Sequence, residues 1–176
     1  AFNRNNSQNW KRHSVFQNKD TSRQYGLSGV VYRYAHTTLR DSVHPDTIRE
    51  TILQGNSAFS EFQFRAPVSY DHAILAYGKT GSDCRVSVFL KDSLISKTVL
   101  KGQADWNTWK LPIAKSTDQF KLEFQGEPSP PFYGLYLESE KGVMVDNYAI
   151  RGHSGNGLFQ IPDSLFEAQC KAQNVK

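Results

Sequence analysis

The stretch Arg151-Gly152-His153-Ser154-Gly155-Asn156-Gly157 holds the residue types of a nucleophilic hydrolase site, a serine set among glycines and next to a histidine. A nucleophile elbow needs Gly-x-Ser-x-Gly, which puts the serine on a strained turn beside a backbone N–H for the oxyanion. Here Asn156 stands where the closing glycine belongs, so Ser154 is not expected to be a nucleophile. Cys84 and Cys170 are far apart and lack a Cys-x-x-Cys partner, which argues against a zinc site. They are expected to be buried free thiols, with a disulfide as the alternative in an oxidising compartment. Asp146 and Asn147 offer oxygens to calcium, but calcium takes six to eight such ligands and no dense Asp cluster surrounds them. No metal and no cofactor is expected.

The elements that must position these residues are mostly strands. The chain has 176 residues, 38% of them hydrophobic and 12% aromatic, with eight Tyr and eleven Phe, a mixture that suits strands better than helices. At this length roughly 70% of the unfolded surface is buried, enough for a core without metals or staples. Period-two segments fall at Arg12–Phe16, Ser28–Tyr34, Ala58–Phe64, His72–Gly78, Cys84–Lys91, Leu94–Leu100, Thr108–Pro112, Gln119–Phe124, Phe132–Glu138 and Val143–Ile150. In Gln119–Phe124, Phe120, Leu122 and Phe124 alternate with Lys121 and Glu123, the pattern of a strand with one face on a core and one in water. Gly78–Asp83 reads as a hairpin-like connection, and Lys91-Asp92-Ser93 and Glu140-Lys141-Gly142 as tight turns. Gly126–Pro131 reads as a loop that no strand could cross. Some ten short strands at regular spacing predict a mainly β fold, an antiparallel sandwich or jelly roll of galactose-binding-like form.

One segment departs from this rhythm. Ile161, Leu165, Phe166, Ala168 and Cys170 fall near helical spacing, and Pro162 and Asp163 suit a first turn. A strand ending at Ile150, a glycine turn and then a helix is α/β grammar. The expected division is a sandwich over 1–150 and, over 151–176, the start of a different domain. Both ends read as cut, so any signal peptide would lie outside the sequence. No apolar run reaches the ~18 residues of a membrane span. The net charge of +4 comes from dispersed Lys and Arg, and no nucleic-acid-binding motif is present.

Asn147-Tyr148-Ala149-Ile150-Arg151-Gly152-His153-Ser154-Gly155, followed by a helix, resembles the second conserved block of SGNH/GDSL hydrolases. The resemblance implies that Gly155 offers its backbone N–H to the oxyanion in a parent enzyme. Asn9-Trp10, Val15-Phe16 and Tyr25–Val30 look like the opening of the β-rich insert of Bacteroidetes-type GDSL esterases, and Val143–Tyr148 like its exit. The family's Gly-Asp-Ser block, its third-block Asn and its Asp-x-x-His pair near the C-terminus are absent. The resemblance therefore implies a non-catalytic insert of a cell-envelope or secreted acyl esterase, with the catalytic domain as partner.

Related envelope esterases carry a sandwich resembling a carbohydrate-binding module, which makes a glycan such as peptidoglycan the expected ligand. A flat ring can stack on a sugar, so the candidates are Trp10, Trp106, Trp109, Phe132 and Tyr133. Trp106 and Trp109 are three apart and would face opposite sides of a strand, one of them toward the core; the spacing leaves open which. Arg65, Arg85 and Arg151 could clamp a carboxylate. The alternatives are an insert that only shapes the parent's active site or dimer contacts, and a small stand-alone esterase using Ser154.

Overall fold

The computed structural model describes residues 7–8, 10–16, 19, 21–34, 57–63, 69–81, 83–126, 128–142 and 156–175. Among the described residues ten strands are divided between two antiparallel five-stranded sheets. The first sheet runs β1 (Ser7–Gln8), β4 (Ser57–Gln63), β9 (Gln119–Gln125), β6 (Cys84–Leu90), β7 (Ser93–Leu100). The second runs β2 (Trp10–Ser14), β3 (Val30–Tyr34), β10 (Phe132–Glu138), β5 (His72–Tyr77), β8 (Asn107–Lys110). A short 3₁₀ turn at Asn156–Gln160 leads into one helix, α1 (Asp163–Ala172). The fold is thus the mainly β sandwich that the two-residue rhythm predicts, with one C-terminal helix. Predicted Val143–Ile150 lies outside the described residues.

The inward positions of both sheets meet in one core. Val86 and Val88 of β6 and Phe120, Leu122 and Phe124 of β9 pack against Leu75 of β5 and Phe132 of β10. Each is 1% exposed or less, and each such burial contributes about 1.5–3 kcal/mol. A bulge between Val88 and Phe89 shifts the β6–β7 register, and the hairpin closes on Lys91 and Asp92 at φ 46 and 65. Two successive positive φ angles match the right-handed twist of the flanking strands, and they account for the tight turn expected there.

The Gly78–Asp83 segment corrects an expectation. It is a crossing between sheets, not a hairpin. β5 is flanked by β10 and β8, and β6 by β9 and β7, so neither has an edge left for the other. Gly126 lies on a second crossing, between β9 and β10. It has φ +144, and a Cβ there would stand 2.2 Å from the Asp83 carbonyl oxygen. Only glycine allows the two crossings to touch at this point.

The helix docks on the far side of the second sheet. Ile161 and Leu165 join Val15, Tyr25, Val31, Ala76 and Tyr133 in a second apolar cluster. Pro162 precedes α1 and Asp163 occupies its first turn, as its spacing predicts, while Lys171 lies in the last turn. The buried face of α1 is Leu165 and Gln169, and Phe166, expected among the apolar face, is 39% exposed.

Candidate functional site

The five candidate aromatics divide between the two cores. Trp10 packs edge-on against Phe124 at 5.2 Å, Phe132 at 5.3 Å and Tyr34 at 5.9 Å. Trp109 packs against the same inter-sheet core, and Phe132 is fully buried within it. Trp106 lies on the other side of the second sheet, so the two indoles do face opposite ways, and both meet protein. Trp106 stacks on Tyr133 with ring centroids 5.2 Å apart and planes at 10°. Tyr133 is 3% exposed, and its hydroxyl donates to the Asp105 carbonyl at 2.8 Å.

Phe132 and Tyr133 follow the proline-rich loop Gly126–Pro131. The Ser129–Pro131 end of that loop is packed away. Tyr34 N–H donates to Ser129 Oγ at 3.1 Å, Arg33 Nη1 to the Ser129 carbonyl at 3.1 Å, and Gly78 N–H to the Pro131 carbonyl at 2.8 Å. Pro130 and Pro131 are buried with it. Rings held this way leave no free face for a sugar. Arg65, Asp146, Asn147, Arg151, Ser154 and Gly155 lie outside the described residues.

Arg85 is placed differently. It stands on the outward face of β6, in line with Ser87 and Phe89, and faces Gln125, Glu123 and Lys121 of β9 across the strand pair. Arg85 and Gln125 are exposed and the other four are half-buried. Lys121 Nζ lies 5.0 Å from the Phe89 ring centre and 2.8 Å from Glu123 Oε1. The guanidinium of Arg85 has no hydrogen bond or ion pair among the described residues. The result is a shallow two-strand surface with amide, hydroxyl, carboxylate and guanidinium groups at regular intervals and one apolar ring. Sugar hydroxyls both donate and accept, and this surface offers both functions along a line. Of its six residues the sequence reading picked out only Arg85. The others carried the signal of ordinary outward positions.

The corresponding face of the second sheet is closed by α1. Gln169 is fully buried, and its Nε2 donates to the Tyr25 carbonyl at 2.8 Å. Gln169 Oε1 and Trp106 Nε1 are buried without a hydrogen-bond partner among the described residues. At one end of this sheet Lys115 binds Asp71 Oδ1 at 2.6 Å, and the Glu140 N–H donates to Asp71 Oδ2 at 2.9 Å. These contacts tie the start of β5 to the end of β10. They hold the Asp71 carboxyl below its usual range, Lys115 contributing most, and the same bond raises the Lys115 ammonium.

Both cysteines are free thiols. Cys84 is buried in the inter-sheet core, and burial pushes its thiol up to about 11, against a smaller opposite effect of the Tyr34 hydroxyl at 3.6 Å. Cys170 is half-exposed on α1, so only Cys84 is buried as expected. Among the described residues no three His, Cys, Asp or Glu side chains converge to hold a metal. No helix among them is long and apolar enough to cross a membrane.

No family model matches the sequence, and no curated protein matches it. Among solved structures, the chain is similar to a family 35 carbohydrate binding module from an environmental isolate. The two share 16% identity at a TM-score of 0.36, over 61% of this chain and 87% of that one.

Proposed function

We propose that this chain is a non-catalytic glycan-binding module whose ligand lies across the outward face of β6 and β9. The observation that carries the reading is the row Arg85, Ser87, Phe89 facing Gln125, Glu123, Lys121, which no described residue covers, while the opposite outer face is closed by a helix. Polar groups at strand spacing fix the orientation of a chain of hydroxyls, and the Phe89 ring supplies an apolar contact beside them. Affinity would be modest, because a shallow face buries little of its ligand. Such a module acts by tethering, which raises local substrate concentration without adding chemistry.

Isothermal titration against soluble envelope polysaccharides and peptidoglycan fragments tests this. Binding is expected for at least one polymer, weakened about tenfold by Arg85→Ala with Gln125→Ala, at roughly 1.4 kcal/mol per factor of ten. No heat with any polymer removes the reading. Turnover of a chromogenic acetate ester by this chain, lost in Ser154→Ala, would replace it with the stand-alone esterase.

The finer form of the proposal places the module inside an exported SGNH/GDSL acyl esterase. Its support is the Asn147–Gly155 sequence block followed by a helix. A Gly-Asp-Ser upstream and an Asp-x-x-His downstream in the full reading frame would establish that parent; a frame lacking both would leave a glycan-binding module without an esterase.

A further inference from the structure

The edge that β7 forms among the described residues has a different character from the face of the first sheet. β7 is eight residues long and, among the described residues, ends the sheet, with β6 as its neighbour on one side and Ile95 as the extra residue of the β6–β7 bulge. Leu94, Ile95 and Val99 are 55%, 41% and 37% exposed, and Ile95, Lys97 and Val99 share one face. The cations around this edge, Lys91, Lys97 and Lys101, have no ion pair among the described residues. Lys79, Lys115, Lys121 and Lys171 each have a carboxylate partner. An unpaired strand edge with exposed aliphatic side chains is a template for another strand.

From this edge we infer that β7 takes up an extended, acidic polypeptide segment by strand addition. The segment carries a carboxylate opposite Lys97 and an aliphatic residue two places to either side, opposite Ile95 and Val99. Main-chain hydrogen bonds supply affinity and the three side-chain pairs supply selectivity.

The same charge works against a second copy of the chain. Antiparallel pairing of two β7 strands that sets Ile95 against Val99 also sets Lys97 against Lys97, a like-charge pair directly opposed. A slip of two residues sets Lys97 against Ile95 or Val99 and loses the aliphatic pairs. Lys97 thus excludes self-pairing while leaving the edge open to a partner of opposite charge. Lys97 and Val99 stand opposite Ser87 and Arg85 on the same outer face, but strand addition uses the main chain of β7, so the peptide test reads this inference apart from glycan binding.

The test uses the isolated chain and two short blocked peptides, each with valine two places to either side of its centre and threonine between. One has glutamate at the centre and the other lysine. Amide shift changes on adding the glutamate peptide are expected along β7, with affinity about fivefold or more above that of the lysine peptide. Lys97→Glu should reverse the preference, and Lys97→Ser should abolish it. Lys97→Val should make the chain self-associate in sedimentation runs where the wild type stays monomeric. Equal affinity for the two peptides, shift changes away from β7, a wild-type dimer with protected β7 amides, or a monomeric Lys97→Val would each overturn the inference.

Discussion

The outer faces of the two sheets began from the same alternating grammar and ended differently. On the first sheet, Phe120-Lys121-Leu122-Glu123-Phe124 alternates strictly, and its polar positions meet water. On the second, β5 reads His72-Ala73-Ile74-Leu75-Ala76-Tyr77, and both parities are apolar. A strand with two apolar faces needs a cover on each, and α1 with the residues just before it supplies the second one through Leu165 and Ile161. The lesson is that strict alternation marks the face free to bind, and broken alternation marks the face already occupied by the chain itself.

The heaviest blow to both sheets together falls at their junction. Gly126→Ala would force a Cβ to within 2.2 Å of the Asp83 carbonyl oxygen at a φ of +144. A cost of about 3 kcal/mol or more is expected, since backbone on both crossings must shift. Chemical denaturation measures it; a loss under about 1 kcal/mol would mean that the crossings are not rigidly apposed. Next comes the covered face. Leu165→Ala removes the most buried apolar contact of α1 and should cost about 2–4 kcal/mol. If Leu165→Ala proved neutral, the helix would be an ornament and the second sheet as open as the first.

Much of this contrast was legible before any coordinates. Nine of the strands and the helix follow from period two, helical spacing and the placement of Pro162. What escaped has identifiable causes. The turn residues of Gly78–Asp83 serve a hairpin and a sheet crossing equally well, and only the strand order separates the two. The prolines ahead of Phe132 mark a loop, but not that its Ser129–Pro131 end is held inward by Arg33, Tyr34 and Gly78 through contacts distant in sequence. β1, at two residues, is too short to carry a period. The binding face was legible only as outward positions, because a solvated row and a ligand-binding row have the same alternation.

Inside the sandwich, Cys84 gives the comparison a pH readout. Its thiol keeps the proton to about pH 11 in the folded chain, whereas the unfolded thiol ionises near its ordinary 9.0. Between those values the unfolded state binds fewer protons, so stability must fall as pH rises. The loss attributable to this group is about 2 kcal/mol across the window, at about 1.4 kcal/mol per unit. Denaturation series on wild type and Cys84→Ala should differ in slope only there, and identical slopes would place Cys84 in contact with water. In thiol titration of the native chain, Cys170 should react and Cys84 should wait for denaturant.

The smallest effect belongs to the open face and is the sharpest control. Glu123→Gln breaks the exposed pair with Lys121 at 2.8 Å while keeping the shape of the side chain. Both partners are partly in water, where such a pair is worth about 0–1 kcal/mol and is screened by salt. Stability should therefore change by less than about 0.5 kcal/mol, several times less than for Leu165→Ala. Glycan affinity, in contrast, should drop, because an amide replaces a carboxylate that accepts hydroxyl hydrogens. A variant with unchanged stability and weakened binding would mark this row as a surface kept for a ligand. Unchanged binding would shift the site off β9, and a large stability loss would show that the first sheet's outer face carries structural weight after all.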